Sequence, residues 1–184
     1  MRCGMLRKLK ARMASLLGLT PPTPEMLRKK GLTLGENVAI HTRQIDVGHG
    51  YLISMGDHVS IAPGATILAH DASTKEALGY ARVGRVDIGS HVFIGAGAVI
   101  LPGVSIGDYV IIGAGAVVSR SIPGNSVAVG NPARVIGSYD DYIEKNRRLM
   151  ETAPVYPTYW QHKSAEEKAR MQQELFDGRI GFDR

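Results

Sequence analysis

His70 is the residue of this sequence best suited to catalysis. It ends a regular aliphatic pattern, and a polar segment without that pattern follows it directly. An imidazole titrates near neutral pH, so it can take a proton from a hydroxyl group and return one to a leaving group. At the base of a projecting loop it would border a cleft, which predicts a general base for group transfer to a hydroxyl. His58 and His91 occupy the same position of the pattern, so spacing alone also allows an exposed turn histidine.

The pattern on both sides of His70 is a repeat of six residues. Aliphatic residues recur at every sixth position from Ile88 to Val118, and Met55, Ile61 and Ile67 have the same spacing. Small or β-branched residues follow four positions after the leading residue, namely Val92, Ala98, Val104, Val110 and Ala116. A period of six fits neither an amphipathic helix nor a long alternating strand. It predicts short strands joined by turns, with each coil stacked on the last and the leading residues inside.

The repeat is interrupted twice. It falters between His41 and Leu52, and it vanishes from Asp71 to Asp87 before it resumes at Ile88. Long excursions from a regular scaffold often carry function. The sequence therefore predicts a loop over residues 71–87 that borders the site of His70.

The hexads and the segment around His70 resemble those of the hexapeptide-repeat acyltransferases. The resemblance rests on Ile67–Lys75 (ILAHDASTK), on Ile88–Gly97 (IGSHVFIGAG) and on the closing Gly130–Arg134 (GNPAR). Within that superfamily the chain is similar to maltose and galactoside O-acetyltransferases and to acyltransferases of capsule and exopolysaccharide pathways. Over about residues 34–136, the resemblance implies an all-β core, a left-handed parallel β-helix of triangular section. The left-handed sense of the coil is implied by the resemblance only, because the general rule for crossover connections favours a right-handed coil.

The resemblance also implies the donor and its site. In that family the histidine before the loop is the general base, acetyl-CoA is the acetyl donor, and coenzyme A lies between neighbouring subunits of a homotrimer. The implied cofactor-binding residues are Phe93, Ala96, Ala114, Ser119, Arg120, Asn131, Pro132 and Arg134. Phe93 would line the acetyl channel, and guanidinium groups such as that of Arg120 suit phosphate oxygens. From sequence alone, Asn131–Pro132 is equally explained as a turn that closes the last coil.

The acceptor side is implied by fewer residues. Asp46 matches an aspartate that contacts the sugar in galactoside-type enzymes, although this chain has three extra residues between Asp46 and Met55. Further acceptor candidates, each also explained as a surface residue, are Asp71, Tyr80, Arg82, His41 and His49. The predicted function is acetyl-CoA-dependent O-acetylation of a hydroxyl group of a sugar or polysaccharide precursor.

Two other functions stay open on the sequence. One is N-acetylation of an amino-sugar nucleotide, and the other is a non-catalytic scaffold, since a hexapeptide solenoid can serve only as an assembly platform. A zinc site of the γ-class carbonic anhydrase type is excluded, because Ala96 and Leu101 stand where that family has histidine ligands. No metal is predicted.

Composition and charge exclude further classes of protein. Cys3 is the single cysteine, so there is no intramolecular disulfide, and no apolar run reaches the length of a membrane span. The net charge is +5 at pH 7, but basic residues lack interleaved aromatics, which excludes nucleic acid as a partner. Basic residues also interrupt the first twenty positions as no signal peptide would, and we expect a cytoplasmic protein. The basic N-terminal helix predicts weak peripheral membrane association, with a solvated helix face as the alternative.

The predicted organisation has three parts. They are an N-terminal helical cap over residues 1–31, the β-helix over residues 32–136 and a C-terminal helical extension over residues 137–184. Helices are predicted over residues 5–17, 24–30, 139–150 and 165–176, the last with a capping box of Ser164 and Glu167. The N-terminal helices would cover the open end of the solenoid, whose terminal coil otherwise exposes unpaired strand edges.

Overall fold

A computed structural model describes residues 20–184 of the chain. The helix predicted over residues 5–17, with its basic face, lies outside the described residues. The chain divides into two compact units, one that ends at Tyr139 and one over Asp140–Arg184. Within residues 20–184, no helix combines the length and the apolar character needed to cross a bilayer.

The first unit is a solenoid of very short strands. The strands, in chain order, are β1 (Thr33–Leu34), β2 (Ala39–Ile40), β3 (Gln44–Ile45), β4 (Ile53–Met55), β5 (Ser60–Ile61), β6 (Thr66–Ile67), β7 (His70–Asp71), β8 (Arg82–Val83), β9 (Val86–Ile88), β10 (Val92–Ile94), β11 (Val99–Ile100), β12 (Ser105–Ile106), β13 (Val110–Ile112), β14 (Val117–Val118), β15 (Ser126–Val129) and β16 (Arg134–Gly137). Its helices are α1 (Pro24–Lys29) and α2 (Lys75–Leu78), and 3₁₀ turns span Val47–Leu52 with a break at His49.

Three parallel sheets form the walls of the solenoid. The first has the order β1-β4-β9-β12, the second β2-β5-β10-β13-β15 and the third β3-β6-β11-β14. Each coil visits the three sheets in turn, so residues three hexads apart stack on each other. Ile94 pairs with Ile112, and Ile100 pairs with Val118. The structure therefore confirms the parallel coil that the six-residue period predicts.

The leading aliphatic residues form the core. Side chains such as Ile61, Ile67, Ile94 and Ile112 are fully buried, and each contributes roughly 1.5–3 kcal/mol through burial. The small residues of the hexads occupy the tight corners, where Ala98 is equally buried. The coils approach so closely there that glycine is required at some positions.

Helix α1 closes the first coil. It begins after Thr23, whose hydroxyl accepts a hydrogen bond from the backbone N–H of Met26 at 3.3 Å. Leu27 of this helix is buried in the same cluster as Leu32 and Leu34. The helix therefore packs against the first coil of the solenoid.

The excursion is more ordered than the loop that the sequence predicts. Strands β7 and β8 pair as an antiparallel hairpin, with His70 opposite Val83 and Asp71 opposite Arg82. Helix α2 lies between them and ends at Gly79, where φ is +76°. The chain rejoins the first sheet at Val86, before the predicted end at residue 87, because β9 starts two residues ahead of its leading isoleucine.

The last coil ends in a reversal that the sequence does not predict. Strand β16 pairs antiparallel with β15, after a turn that contains a cis Asn131–Pro132 peptide bond. The repeat period carries no signal for this change of direction.

The second unit consists of short elements, and the Tyr156 side chain is buried in it. They are α3 (Tyr139–Met150), β17 (Val155–Tyr156), a 3₁₀ turn (Trp160–His162), α4 (Ala165–Glu174) and β18 (Phe182–Asp183). Strands β17 and β18 pair in parallel, and the Tyr156 hydroxyl donates to a Glu174 carboxylate oxygen at 2.9 Å. Ser164 and Glu167 form the expected capping box of α4.

Candidate active site

A groove of about 730 Å³ lies where the hairpin leaves the solenoid. Its walls include His70, Asp71 and Arg82 from the hairpin, and Leu101, Pro102 and Ser119 from the third sheet and its following corner. The side chain of His70 is 38% exposed. The histidine singled out by the sequence therefore faces a cleft whose volume is typical of a ligand site.

A buried carboxylate holds the His70 ring. Nδ1 of His70 donates to Oδ2 of Asp46 at 2.5 Å, and the Asp46 side chain is only 5% exposed. The same oxygen accepts the backbone N–H of Ala69 at 3.3 Å. Because Nδ1 carries the hydrogen in this arrangement, Nε2 is left as the basic nitrogen.

The solenoid fixes Asp46 in this position. Asp46 follows β3 directly, and its backbone N–H donates to the carbonyl of Ile67 in the next coil at 3.0 Å. Its other carboxylate oxygen, Oδ1, accepts the backbone N–H of His49 at 3.2 Å and so caps the 3₁₀ turn. Both the coil and the turn therefore hold the carboxylate beneath His70.

A second imidazole shares this carboxylate. Nδ1 of His49 lies 3.4 Å from Oδ1 of Asp46, and the His49 and His70 ring centroids are 4.7 Å apart. The His49 side chain is 30% exposed. The sequence suggests His49 only as an acceptor candidate and gives no sign of this contact.

The electrostatics favour an ionised Asp46. Burial raises the pKa of its carboxyl group. Hydrogen bonds from His70, from His49 and from the Ala69 N–H, together with attraction to a charged His70, lower this pKa by a larger amount. The net result is a pKa below the ordinary value. A carboxylate that stays charged near neutral pH can stabilise an imidazolium at position 70.

The cluster is arranged as a hydrogen-bond network. Ligand atoms of Asp46, His49 and His70 lie within 4.8 Å of one another, a spacing that also suits a metal ion. The 2.5 Å separation between His70 and Asp46 is shorter than the roughly 3.3 Å expected between two ligands of a tetrahedral zinc ion. The absence of a metal stays a prediction.

The structure places Asp46 against the His70 ring, and its predicted contact with the sugar stays a prediction. The sequence predicts a contact with the sugar, but the side chain is buried and its oxygens already accept hydrogen bonds from both histidines and two backbone groups. Asp46 follows Ile45, and Ile45 stacks on Ile67 just ahead of His70.

The other acceptor candidates divide between the groove and the surface. Asp71 and Arg82 both line the groove, with 3.9 Å between Oδ2 and Nη1. Hydrogen bonds from Ser73 lower the pKa of Asp71, and Arg82 and His70 add to this effect. Tyr80 is 80% exposed on the excursion and does not line the groove. His41 is exposed at the end of β2.

The predicted cofactor residues lie on separate surfaces. Ser119 lines the groove, and the exposed Arg120 follows it. Phe93 is 45% exposed on the second sheet, and Ala96 and Ala114 occupy successive coils at the corner after that sheet. A single chain therefore does not bring these three residues into the groove with His70.

The remaining cofactor candidates belong to the closing segment. Asn131 and Pro132 form the turn between β15 and β16, and Arg134 starts β16. All three are exposed, and the Arg134 guanidinium donates to the carbonyl of Ala133 at 2.9 Å. The turn interpretation of Asn131–Pro132 is confirmed, while a contact with coenzyme A stays a prediction.

Comparisons with known proteins agree with this architecture. The family model described as bacterial transferase hexapeptide (six repeats) matches residues 85–120. Protein CapG of Staphylococcus aureus is 39% identical over 135 residues, which cover 70% of this chain and 77% of CapG. Galactoside O-acetyltransferase of Escherichia coli is 42% identical over 96 residues, which cover 50% of this chain and 46% of that enzyme.

A solved structure supports the fold. The hexapeptide-repeat containing acetyltransferase VCA0836 of Vibrio cholerae aligns with a TM-score of 0.51 and 22% identity, and the match covers 76% of this chain and 93% of that one. The chain belongs to the hexapeptide-repeat acetyltransferases. It spans 77% of CapG but less than half of the galactoside enzyme.

Proposed function

We propose that this protein is an acetyl-CoA-dependent O-acetyltransferase that acetylates a hydroxyl group of a sugar or polysaccharide precursor. The observation that carries the proposal is the hydrogen bond between His70, which faces the groove, and the buried carboxylate of Asp46. The resemblance to galactoside O-acetyltransferase supports a hydroxyl acceptor on a sugar. The match to CapG covers most of both chains and supports membership of the same family.

In the proposed mechanism, His70 is the general base. The acceptor hydroxyl donates a hydrogen bond to Nε2 of His70, and its oxygen attacks the carbonyl carbon of the acetyl thioester. The proton moves to Nε2 as the carbon–oxygen bond forms, and Asp46 stabilises the resulting imidazolium. The tetrahedral intermediate carries an oxyanion, for which the backbone N–H of Ala96 is the candidate donor.

The second half of the reaction returns the proton. The oxyanion collapses, the carbon–sulfur bond breaks, and the imidazolium of His70 protonates the departing thiolate. The products are the O-acetylated acceptor and free coenzyme A, and His70 is neutral again. No acetyl-enzyme is required, because both substrates are held together in one groove.

We extend the proposal to a left-handed coil that assembles as a homotrimer. Phe93, Ala96 and Ala114 lie on a different surface from His70 and Ser119. A second copy of the chain could bring the first surface to the second, so that coenzyme A would lie between subunits. Arg120 and Arg134, both exposed, would then contact its phosphates.

An acetyl-transfer assay tests the proposal directly. Purified protein is mixed with acetyl-CoA and a panel of sugars, and release of the coenzyme A thiol is followed with a chromogenic reagent. We expect thiol release that depends on a hydroxyl acceptor. Release with amino sugars alone would identify an N-acetyltransferase, and absence of both thiol release and coenzyme A binding would favour the scaffold.

A further inference from the structure

We propose that His49 is a positioning residue that controls the proton affinity of His70 through the carboxylate they share. This inference rests on the proposed role of His70 as general base. In the neutral form, His49 donates to Asp46 and leaves one full negative charge for an imidazolium at position 70. When His49 is protonated, its positive charge neutralises the Asp46 carboxylate and repels the proton that His70 must accept.

The geometry couples the two rings. Asp46 accepts from Nδ1 of His70 at 2.5 Å, and Nδ1 of His49 lies 3.3–3.4 Å from both carboxylate oxygens. The ring centroids are 4.7 Å apart with a tilt of 36°. One carboxylate therefore lies between two bases, and it can neutralise only one positive charge at a time.

The other charged groups near the pair do not remove this competition. Asp71 adjoins His70 on the hairpin strand, but it also faces Arg82 across the hairpin. On the side of the 3₁₀ turn, the neighbouring titratable group is Tyr51, whose ring is 6.2 Å from that of His49. Within the described residues, Asp46 is the carboxylate that contacts both imidazoles.

The distance sets the expected size of the coupling. Two unit charges 4.7 Å apart repel each other, and the repulsion is stronger at a partly buried site than in bulk water. Protonation of one ring should therefore oppose protonation of the other. Transfer of the acetyl group requires that both rings start neutral.

The test compares wild type with His49→Asn. Asparagine can place an amide donor where Nδ1 lies, so it keeps the hydrogen bond to Asp46, but it cannot carry a charge. The backbone N–H that caps the turn is also kept. His70→Asn provides the reciprocal variant, in which His49 titrates without its neighbour.

The first readout is kinetic. We expect the ratio of kcat/KM for His49→Asn to kcat/KM for wild type to rise as the pH falls from 8 to 5. For two rings of equal affinity, the rise is about two-fold or more, because wild type loses activity through either protonation. If a charged His49 does not impair the enzyme, the ratio stays level or falls, and that result would overturn the proposal.

The second readout does not depend on enzyme activity. Nuclear magnetic resonance titration of the histidine rings should show two inflections for His49 and His70 in wild type, and one for the remaining ring in each variant. Single-step curves that match those of the variants would overturn the proposal. If no acceptor is found and the proposed function fails, this titration still decides whether the two rings are coupled.

Discussion

Replacement of Asp46 by Asn separates the two roles that have been considered for this residue. Asp46→Asn keeps the size of the side chain and removes its charge. In the wild type, Nδ1 of His70 lies 2.5 Å from Oδ2 of Asp46. The amide of the variant provides no carboxylate for this contact. The ring then loses both the fixed tautomer and the charge that stabilises its protonated form.

The magnitude follows from the bond that is removed. A hydrogen bond to a charged group contributes about 1.5–3 kcal/mol, and this bond strengthens when His70 becomes an imidazolium in the transition state. A loss of that size corresponds to a fall in kcat of roughly 10- to 150-fold. Because Asp46 is 5% exposed, solvent offers little replacement for the missing charge.

Steady-state kinetics with the acceptor as the varied substrate measure the effect. We expect kcat to fall while KM for the acceptor changes little, because the carboxylate acts through His70 and does not touch the sugar. If Asp46 binds the sugar, as its match to the galactoside-type enzymes predicts, KM rises and kcat is kept. That result would refute the positioning role.

Asp108→Asn is the matched control. Asp108 also has a carboxylate oxygen that accepts a backbone N–H from the neighbouring coil, at 2.6 Å from the nitrogen of Ser90, but it is not part of the groove. The same chemical change at this position should leave kcat within about two-fold, as is usual for surface substitutions. An equal loss in both variants would indicate a general effect on the solenoid.

Two further predictions concern stability. A Cβ atom at Gly95 would lie 2.5 Å from the backbone nitrogen of Ala114, whereas one at Gly137 would meet nothing within 4 Å. Gly95→Ala should therefore lower the free energy of unfolding by about 1–3 kcal/mol, and Gly137→Ala should leave it almost unchanged. Thermal unfolding of both variants at one protein concentration checks this, and equal midpoints would contradict it. The pKa of Asp46 is lowered in the folded state, so its interactions stabilise the fold above the unfolded pKa of about 3.9 and are lost as the pH falls through the folded value. In urea unfolding, the stability gap between wild type and Asp46→Asn should shrink as the pH falls from roughly 5 through the folded pKa of Asp46, and a gap that grows over this acid range would contradict this sign.

The sequence predicts the solenoid well because the fold repeats one local rule. Each leading residue, such as Ile94 or Ile112, must be buried for the next coil to stack, so the period of six is visible without any partner. The corner after the first sheet is harder to predict from the sequence. There His58, His91 and Tyr109 adopt positive φ and stack their rings, although positive φ is uncommon for residues other than glycine.

The candidate site is predicted only in part because its contacts are not periodic. His70 is marked by the end of a repeat, but Asp46 lies 24 residues earlier and the 3₁₀ turn over Val47–Leu52 interrupts the register between them. The β7–β8 hairpin and the β15–β16 reversal depend on pairing that no six-residue pattern encodes. The exposed Phe93 can be placed on a sheet from sequence, but a single chain does not bring it into the groove with His70.

The rate of acetyl transfer by His70→Ala is the most direct test of the proposed mechanism. Coenzyme A release is measured with the acceptor identified in the sugar panel, and binding of coenzyme A to the same preparation is measured by calorimetry. We predict a loss of about 10²- to 10⁴-fold in kcat, the usual contribution of a general base, with coenzyme A binding retained. A variant that turns over at the wild-type rate would contradict the role of His70.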